Sequence, residues 1–130
     1  MPQLARRVLC AEPHEDTCRL LTELLRQHGH EVVNAKSLHD CLALAREQHF
    51  DLYMLDDDYI DGTAVELCRE LRAATPRTPV LFFSGRAFPR DRQLALEAGA
   101  HSFFAKPGDI LEIVQAVNSI LSGRPVRDAE

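Results

Sequence analysis

The chain has 130 residues, 45% apolar and 27% charged, with a formal net charge of −5. That suffices for one soluble domain of ordinary size. Acids and bases are interspersed with no basic block, which argues against a nucleic-acid surface. No apolar run approaches the ~20 residues of a membrane span, and the opening MPQLARR lacks the apolar core of a secretory signal, so a cytoplasmic location is expected.

The first element, RVLCA (7–11), is a short apolar run and reads as a strand. EDTCRLLTELLRQHG (15–29) follows with Cys18, Leu21, Leu24 and Leu25 on one helical face and Gly29 where a helix ends. EVVNA (31–35) is β-branched and short. SLHDCLALAREQH (37–49) opens on a capping serine and repeats the helical period. DLYML (51–55) is strand-like. TAVELCRELRAA (63–74) is helical, and Thr63 with Glu66 has the form of a capping box. TPVLFF (78–83) is a fourth strand, RDRQLALEAG (90–99) a helix ending in glycine, and HSFFA (101–105) a fifth strand. DILEIVQAVNSILSG (109–123) is the last helix, with Asp109 as its expected cap and Ile110, Ile113, Val114, Val117 and Leu121 as its stripe.

Strict alternation of five strands and five helices over short links predicts an α/β fold, a parallel sheet covered on both faces. Continuous apolar strands fit that double cover. One domain over residues 1–123 accounts for all ten elements, with 124–130 (RPVRDAE) as a tail or linker stub. Cys10, Cys18, Cys41 and Cys68 form no C-x-x-C pair and no zinc spacing. The last three fall on helical patterns as small core residues, and no disulfide is expected in a reducing compartment. His28 and His30 flank a turn glycine and read as solvated; the role of His14, beside acids, stays open.

In an open parallel sheet, ligands bind beyond the carboxyl ends of the strands. Those ends carry Glu12 after strand one, Asp56, Asp57 and Asp58 after strand three, Ser84 at strand four and Lys106 after strand five. Carboxylate, hydroxyl and ammonium on one rim suit a phosphoryl group. An aspartate can act as nucleophile toward phosphorus. A divalent cation and a lysine neutralise the transferring oxygens.

The motifs VLCAEPHEDT, DLYMLDDDYIDG, VLFFSG and FFAKP, with 22 residues from Ser84 to Lys106, resemble the receiver domain of bacterial two-component response regulators over residues 7 to about 122. The resemblance implies a doubly wound, flavodoxin-like (βα)5 fold of strand order 2-1-3-4-5, the order that chemotaxis receivers share with flavodoxin. It implies Asp56 as phosphoacceptor, Mg2+ as cofactor held by Glu12, Asp56 and the backbone carbonyl of Asp58, and Ser84 and Lys106 as the residues that follow the phosphoryl group. Phe103 matches an aromatic that reports activation through the face of helix four, strand five and helix five. The implied partners are a histidine kinase and a downstream protein or output domain, with a homodimer as a further candidate; no nucleic acid or membrane is implied.

Two features depart from the family. Pro13 stands where a second acid usually binds the metal, and the loop DDDYIDGTA lacks a common proline and has Ala64 where glycine is frequent. The first departure supports an alternative, a receiver-like module that acts by protein contact without phosphorylation. A third reading is a haloacid-dehalogenase-like phosphatase, from the Asp-x-Asp after strand three; Ile60 stands near where that family has threonine, and Pro107 follows Lys106 in place of its late acidic motif. A dinucleotide site is excluded, since AEPHED occupies the position of a G-x-G-x-x-G. The expectation is therefore a signalling domain and not an enzyme.

Overall fold

The computed structural model describes residues 6–122. The expected tail 124–130 and the opening MPQLA lie outside the described residues. In chain order the elements are β1 (Arg7–Ala11), α1 (Glu15–Gln27), β2 (Glu31–Ala35), α2 (Leu38–Glu47), β3 (Leu52–Leu55), α3 (Ala64–Ala74), β4 (Val80–Ser84), α4 (Pro89–Glu97), β5 (Ser102–Ala105) and α5 (Ile110–Leu121). The five strands form one parallel sheet in the order β2-β1-β3-β4-β5. This is the doubly wound α/β fold that the alternation and the resemblance led us to expect.

The strands are apolar on both faces because each face has its own core. Leu9, Ala11, Tyr53, Leu55 and Phe82 point to one side, packing with Cys41 of α2, Leu67, Cys68 and Leu71 of α3 and Ala95 of α4. Their chain neighbours Val8, Cys10, Leu52, Met54, Leu81 and Phe83 point to the other, against Leu21 and Leu25 of α1 and Ile113, Val114 and Val117 of α5. Period-two alternation thus divides one run of apolar residues between two helix layers. Full burial of each large side chain contributes about 1.5–3 kcal/mol. All four cysteines are buried and free.

Local chemistry sets the helix ends. The Ser37 hydroxyl accepts a hydrogen bond from Asp40 N at 3.1 Å, capping α2. Thr63 Oγ1 accepts from Glu66 N at 3.1 Å and donates to the Glu66 carboxylate at 3.1 Å, so the capping interaction expected there closes side chain to side chain. Asp109 differs from expectation: its carboxylate makes no cap to α5 and accepts from Ala105 N at 2.9 Å, tying the loop back to the end of β5. His30 is not simply solvated either, since its Nε2 lies 2.6 Å from Asn118 Oδ1 on α5.

One element has no counterpart in the sequence pattern. Asp58–Tyr59 and Gly62–Thr63 pair as a small antiparallel hairpin between β3 and α3. Arms of two residues are too short to show a period, so composition alone gives a loop there.

Candidate functional site

Sheet register brings the strand ends together. Ala11 is level with Leu55 across β1 and β3, which puts the next residues, Glu12 and Asp56, side by side. Ser84 is level with Ala105 across β4 and β5, and Lys106 follows. Alternation sends Glu12 and Asp56 toward the α1 layer, on the side of Cys10 and Met54. Ser84 has the parity of Phe82 and faces the α3–α4 layer.

Glu12 and Asp56 are both buried, at 2% and 1% exposure. Like charges that close need a counter-charge. Lys106 supplies it: its Nζ lies 2.5 Å from Glu12 Oε1 and 2.6 Å from Asp56 Oδ1. Each carboxylate has its second oxygen on the far side from Lys106, and both of these oxygens meet His14. His14 Nδ1 is 3.1 Å from Glu12 Oε2 and 3.1 Å from Asp56 Oδ2. Burial, and after it the charge of Glu12, raises the Asp56 pKa against the pull of Lys106. Burial opposes the charge on Lys106, yet its bonds to Asp56 and Glu12 outweigh this and its pKa rises. The two shifts agree: the ammonium faces two carboxylates, while each carboxylate shares one ammonium with a like charge.

The backbone beneath Asp56 is pinned by Tyr59. The phenol accepts from Asp56 N at 3.0 Å and donates to Ala11 O at 2.7 Å, so one buried hydroxyl joins the ends of β1 and β3. Burial raises the Tyr59 pKa well above its ordinary value, which keeps the donor proton in place. Strand-end reasoning assigns no role to either Tyr59 or His14. His14 leaves a signal in the triplet Glu-Pro-His after β1; Tyr59 leaves only an aromatic among loop acids.

The remaining residues are arranged around this centre. The Asp57 carboxylate accepts from Gly85 N at 3.3 Å, and burial raises its pKa. Its other oxygen is buried without a hydrogen-bond partner among the described residues. Asp58 turns its carboxylate to Arg86, 3.0 Å away, in an exposed pair. Among the described residues, the side chains that could together hold a metal are Glu12, His14 and Asp56, and the Asp58 carboxylate is not among them. Ser84 is buried, and its hydroxyl is engaged locally: it accepts from Arg86 N at 3.0 Å and donates to Arg86 O at 3.1 Å. Phe103 is buried, stacked on Phe82 with centroids 5.9 Å apart, under the guanidinium of Arg92 at 5.1 Å. A cavity of about 350 Å3 separates Ser84 from α4, walled by Asp57, Arg69, Phe82, Leu94 and Phe103.

Comparison with known proteins converges on one family. The family described as "Response regulator receiver domain" matches residues 8–118. The transcriptional regulatory protein CreB of Escherichia coli is 35% identical over 114 residues, 88% of this chain and 50% of CreB. PilH of Pseudomonas aeruginosa is 27% identical over 119 residues, 90% of this chain and 98% of PilH. The chain therefore spans half the length of CreB and nearly all of PilH. A two-component response regulator from Clostridium difficile superimposes with a TM-score of 0.85 at 21% identity, covering 90% of this chain and 96% of that one. A CheY-like receiver domain protein from Methanospirillum hungatei gives 0.85 at 21% identity over 92% and 96% of the two chains. At that identity the superpositions establish the fold. Among the described residues, no helix is long and apolar enough to cross a membrane.

Proposed function

The chain belongs to the response regulator receiver domain family, and from that premise we propose that Asp56 accepts a phosphoryl group from a histidine kinase and relays the event to a protein partner. One observation carries this reading: a buried aspartate at the end of β3 sits between a lysine at 2.6 Å and an imidazole at 3.1 Å. Such a carboxylate is fixed in direction and supported by positive charge where new negative charge will arrive.

The residues divide the work. An Asp56 oxygen bonds to phosphorus as the donor's bond to phosphorus breaks, leaving an acyl phosphate. Lys106 already spans Asp56 and Glu12 and is placed to follow the added charge. Ser84 can donate to a phosphoryl oxygen once its hydroxyl leaves the Arg86 backbone. Glu12 and Asp56 each keep one oxygen free of Lys106, and a pair of hard oxygens fits Mg2+. The backbone carbonyl of Asp58 is the third oxygen proposed for it, and the ion when bound neutralises charge on the transferring oxygens.

On the output side, Ser84 and Phe103 wall the same cavity beneath α4. The proposed consequence is a change in the α4-β5-α5 face that binds or releases a downstream protein or output domain, with a second copy of the chain as a further candidate. A cytoplasmic site of action accompanies the proposed kinase. Pro13 favours a second reading, contact signalling without phosphorylation, because proline brings no ligand to the position of the second acid.

Intact mass after incubation with acetyl phosphate and Mg2+, beside Asp56→Asn, decides between them. One added phosphoryl group in the wild type alone is expected. No adduct in the wild type, with fresh donor and saturating Mg2+, overturns the phosphoacceptor reading in favour of the contact module.

A further inference from the structure

His14 stands one residue beyond the missing acid, and its placement is set by the start of α1. It is the residue before the helix, with extended backbone, and its carbonyl accepts from Cys18 N at 2.9 Å. Its backbone N–H also donates to Glu12 Oε2 at 3.0 Å. The ring hangs over the two carboxylates while 67% of the side chain stays exposed, so the cluster is open to solvent on that side.

The arrangement that lets one imidazole nitrogen share a proton between two oxygens is also that of three ligand atoms around a cation. Nδ1 carries at most one proton, and with a proton there the contact is a three-centre bond. Here it faces Glu12 Oε2 and Asp56 Oδ2 at the same 3.1 Å. Two ligands at right angles on a cation with bonds of ~2.1 Å stand about 3.0 Å apart. The separations around Nδ1 have that size, and the three ligand atoms all lie within 4.8 Å of one another. Lys106 occupies the opposite oxygens, Glu12 Oε1 and Asp56 Oδ1, which leaves the His14 side as the one where a cation meets both carboxylates.

We propose that His14 supplies the ligand that Pro13 cannot, making a Glu12–His14–Asp56 centre that favours a first-row transition cation such as Mn2+ over Mg2+. The inference rests on reading this rim as a divalent-cation site. Mg2+ gains little from exchanging an oxygen for nitrogen, whereas imidazole suits transition ions, whose affinity for nitrogen ligands rises along the series. The preference resides in one side chain, so it is removable without touching the carboxylates.

Cation binding to the full chain is measured without any phosphodonor, so that its outcome is separate from that of the mass measurement. Calorimetric titration with Mn2+ and with Mg2+ is expected to give tighter Mn2+ binding in the wild type. His14→Ala should reduce the Mn2+ to Mg2+ affinity ratio by roughly tenfold or more, since even outer-shell partners count on that scale. Pulsed electron paramagnetic resonance of the Mn2+-loaded protein should show nitrogen-14 modulation from a directly bound imidazole, lost in His14→Ala. Bound Mn2+ without that modulation, or an equal affinity ratio in the two proteins, reduces His14 to a hydrogen-bond partner and overturns the proposal. Failure of both ions to bind overturns it too, while leaving phosphorylation of Asp56 to be judged by mass.

Discussion

Tyr59 is the residue on which the geometry of the rim turns. Its ring is buried in the α2–α3 core, and its hydroxyl satisfies two backbone groups, the N–H of Asp56 and the C=O of Ala11. Tyr59→Phe keeps the ring and removes both bonds. A buried polar group left unpaired costs about 1–3 kcal/mol, so a loss of about 2 kcal/mol is expected in urea unfolding, with an unchanged slope. A midpoint equal to wild type would show that water replaces the hydroxyl and that the pin is dispensable. The residue scale is also where the sequence is only partly legible. Glu12, Asp56, Ser84 and Lys106 can be picked out because parallel strands deliver their ends to one rim. That rule passes over His14 and Tyr59, which are not strand-end residues and meet the rim from the start of α1 and from the loop after β3. Asp58 is legible as an acid of the loop, but the Arg86 that engages its carboxylate lies on a different one.

Among the elements, the helices are legible from a period or a terminator, and the sheet strands as short apolar runs between them. α1 and α4 both stop at a glycine in the left-handed region, Gly29 at φ +85° and Gly99 at φ +105°. Among the described residues, a side chain at Gly29 meets nothing within 4 Å, whereas one at Gly99 would stand 2.9 Å from Arg72 Cγ. Gly29→Ala should therefore cost only the backbone strain, about 1 kcal/mol. Gly99→Ala should cost more, because Arg72 must also move; equal melting shifts for the two variants would contradict this. His101 extends the β4–β5 pairing beyond Ser102. Its N–H donates to Val80 O at 2.8 Å, and its Nδ1 accepts from Val80 N at 3.2 Å, which requires that nitrogen unprotonated. Burial, and then the charge of Arg72, lowers its pKa in the fold. As pH falls through the unfolded value, ~6.5, the unfolded chain binds the proton first, so the stabilisation held above that pH is lost toward the folded value. Wild-type stability should thus decline more steeply than that of His101→Gln as pH drops below about 6.5. Parallel pH profiles would remove His101 from the account. The hairpin at 58–63 is illegible in the sequence because it has no period of its own.

At the scale of the whole molecule, the sheet separates two halves that the proposed function has to connect. Glu12 lies toward the α1–α5 layer and Ser84 and Phe103 wall the cavity on the α3–α4 side, with Asp56 at the strand end reaching the rim of that same cavity. Asp56 and Ser84, both at strand ends, are placed to act between the two halves. Ser84 holds the Arg86 backbone through two hydrogen bonds, and these are what a phosphoryl group at Asp56 would compete with. If Ser84 turns to it, Arg86 N and O lose their partner, the exposed Arg86–Asp58 pair is disturbed, and residues 85–88 ahead of α4 are released. The cavity beside Ser84 leaves room for the change, and Phe82 and Phe103 are the large apolar rings of its wall. Amide hydrogen exchange measures this directly. Phosphorylation of the wild type should change exchange across residues 85–88 and into the first turn of α4. In Ser84→Ala the Arg86 backbone is already without the hydroxyl, so the same segment should exchange faster before phosphorylation and respond little to it. An equal response in both proteins would mean that the two halves communicate by some other route than Ser84.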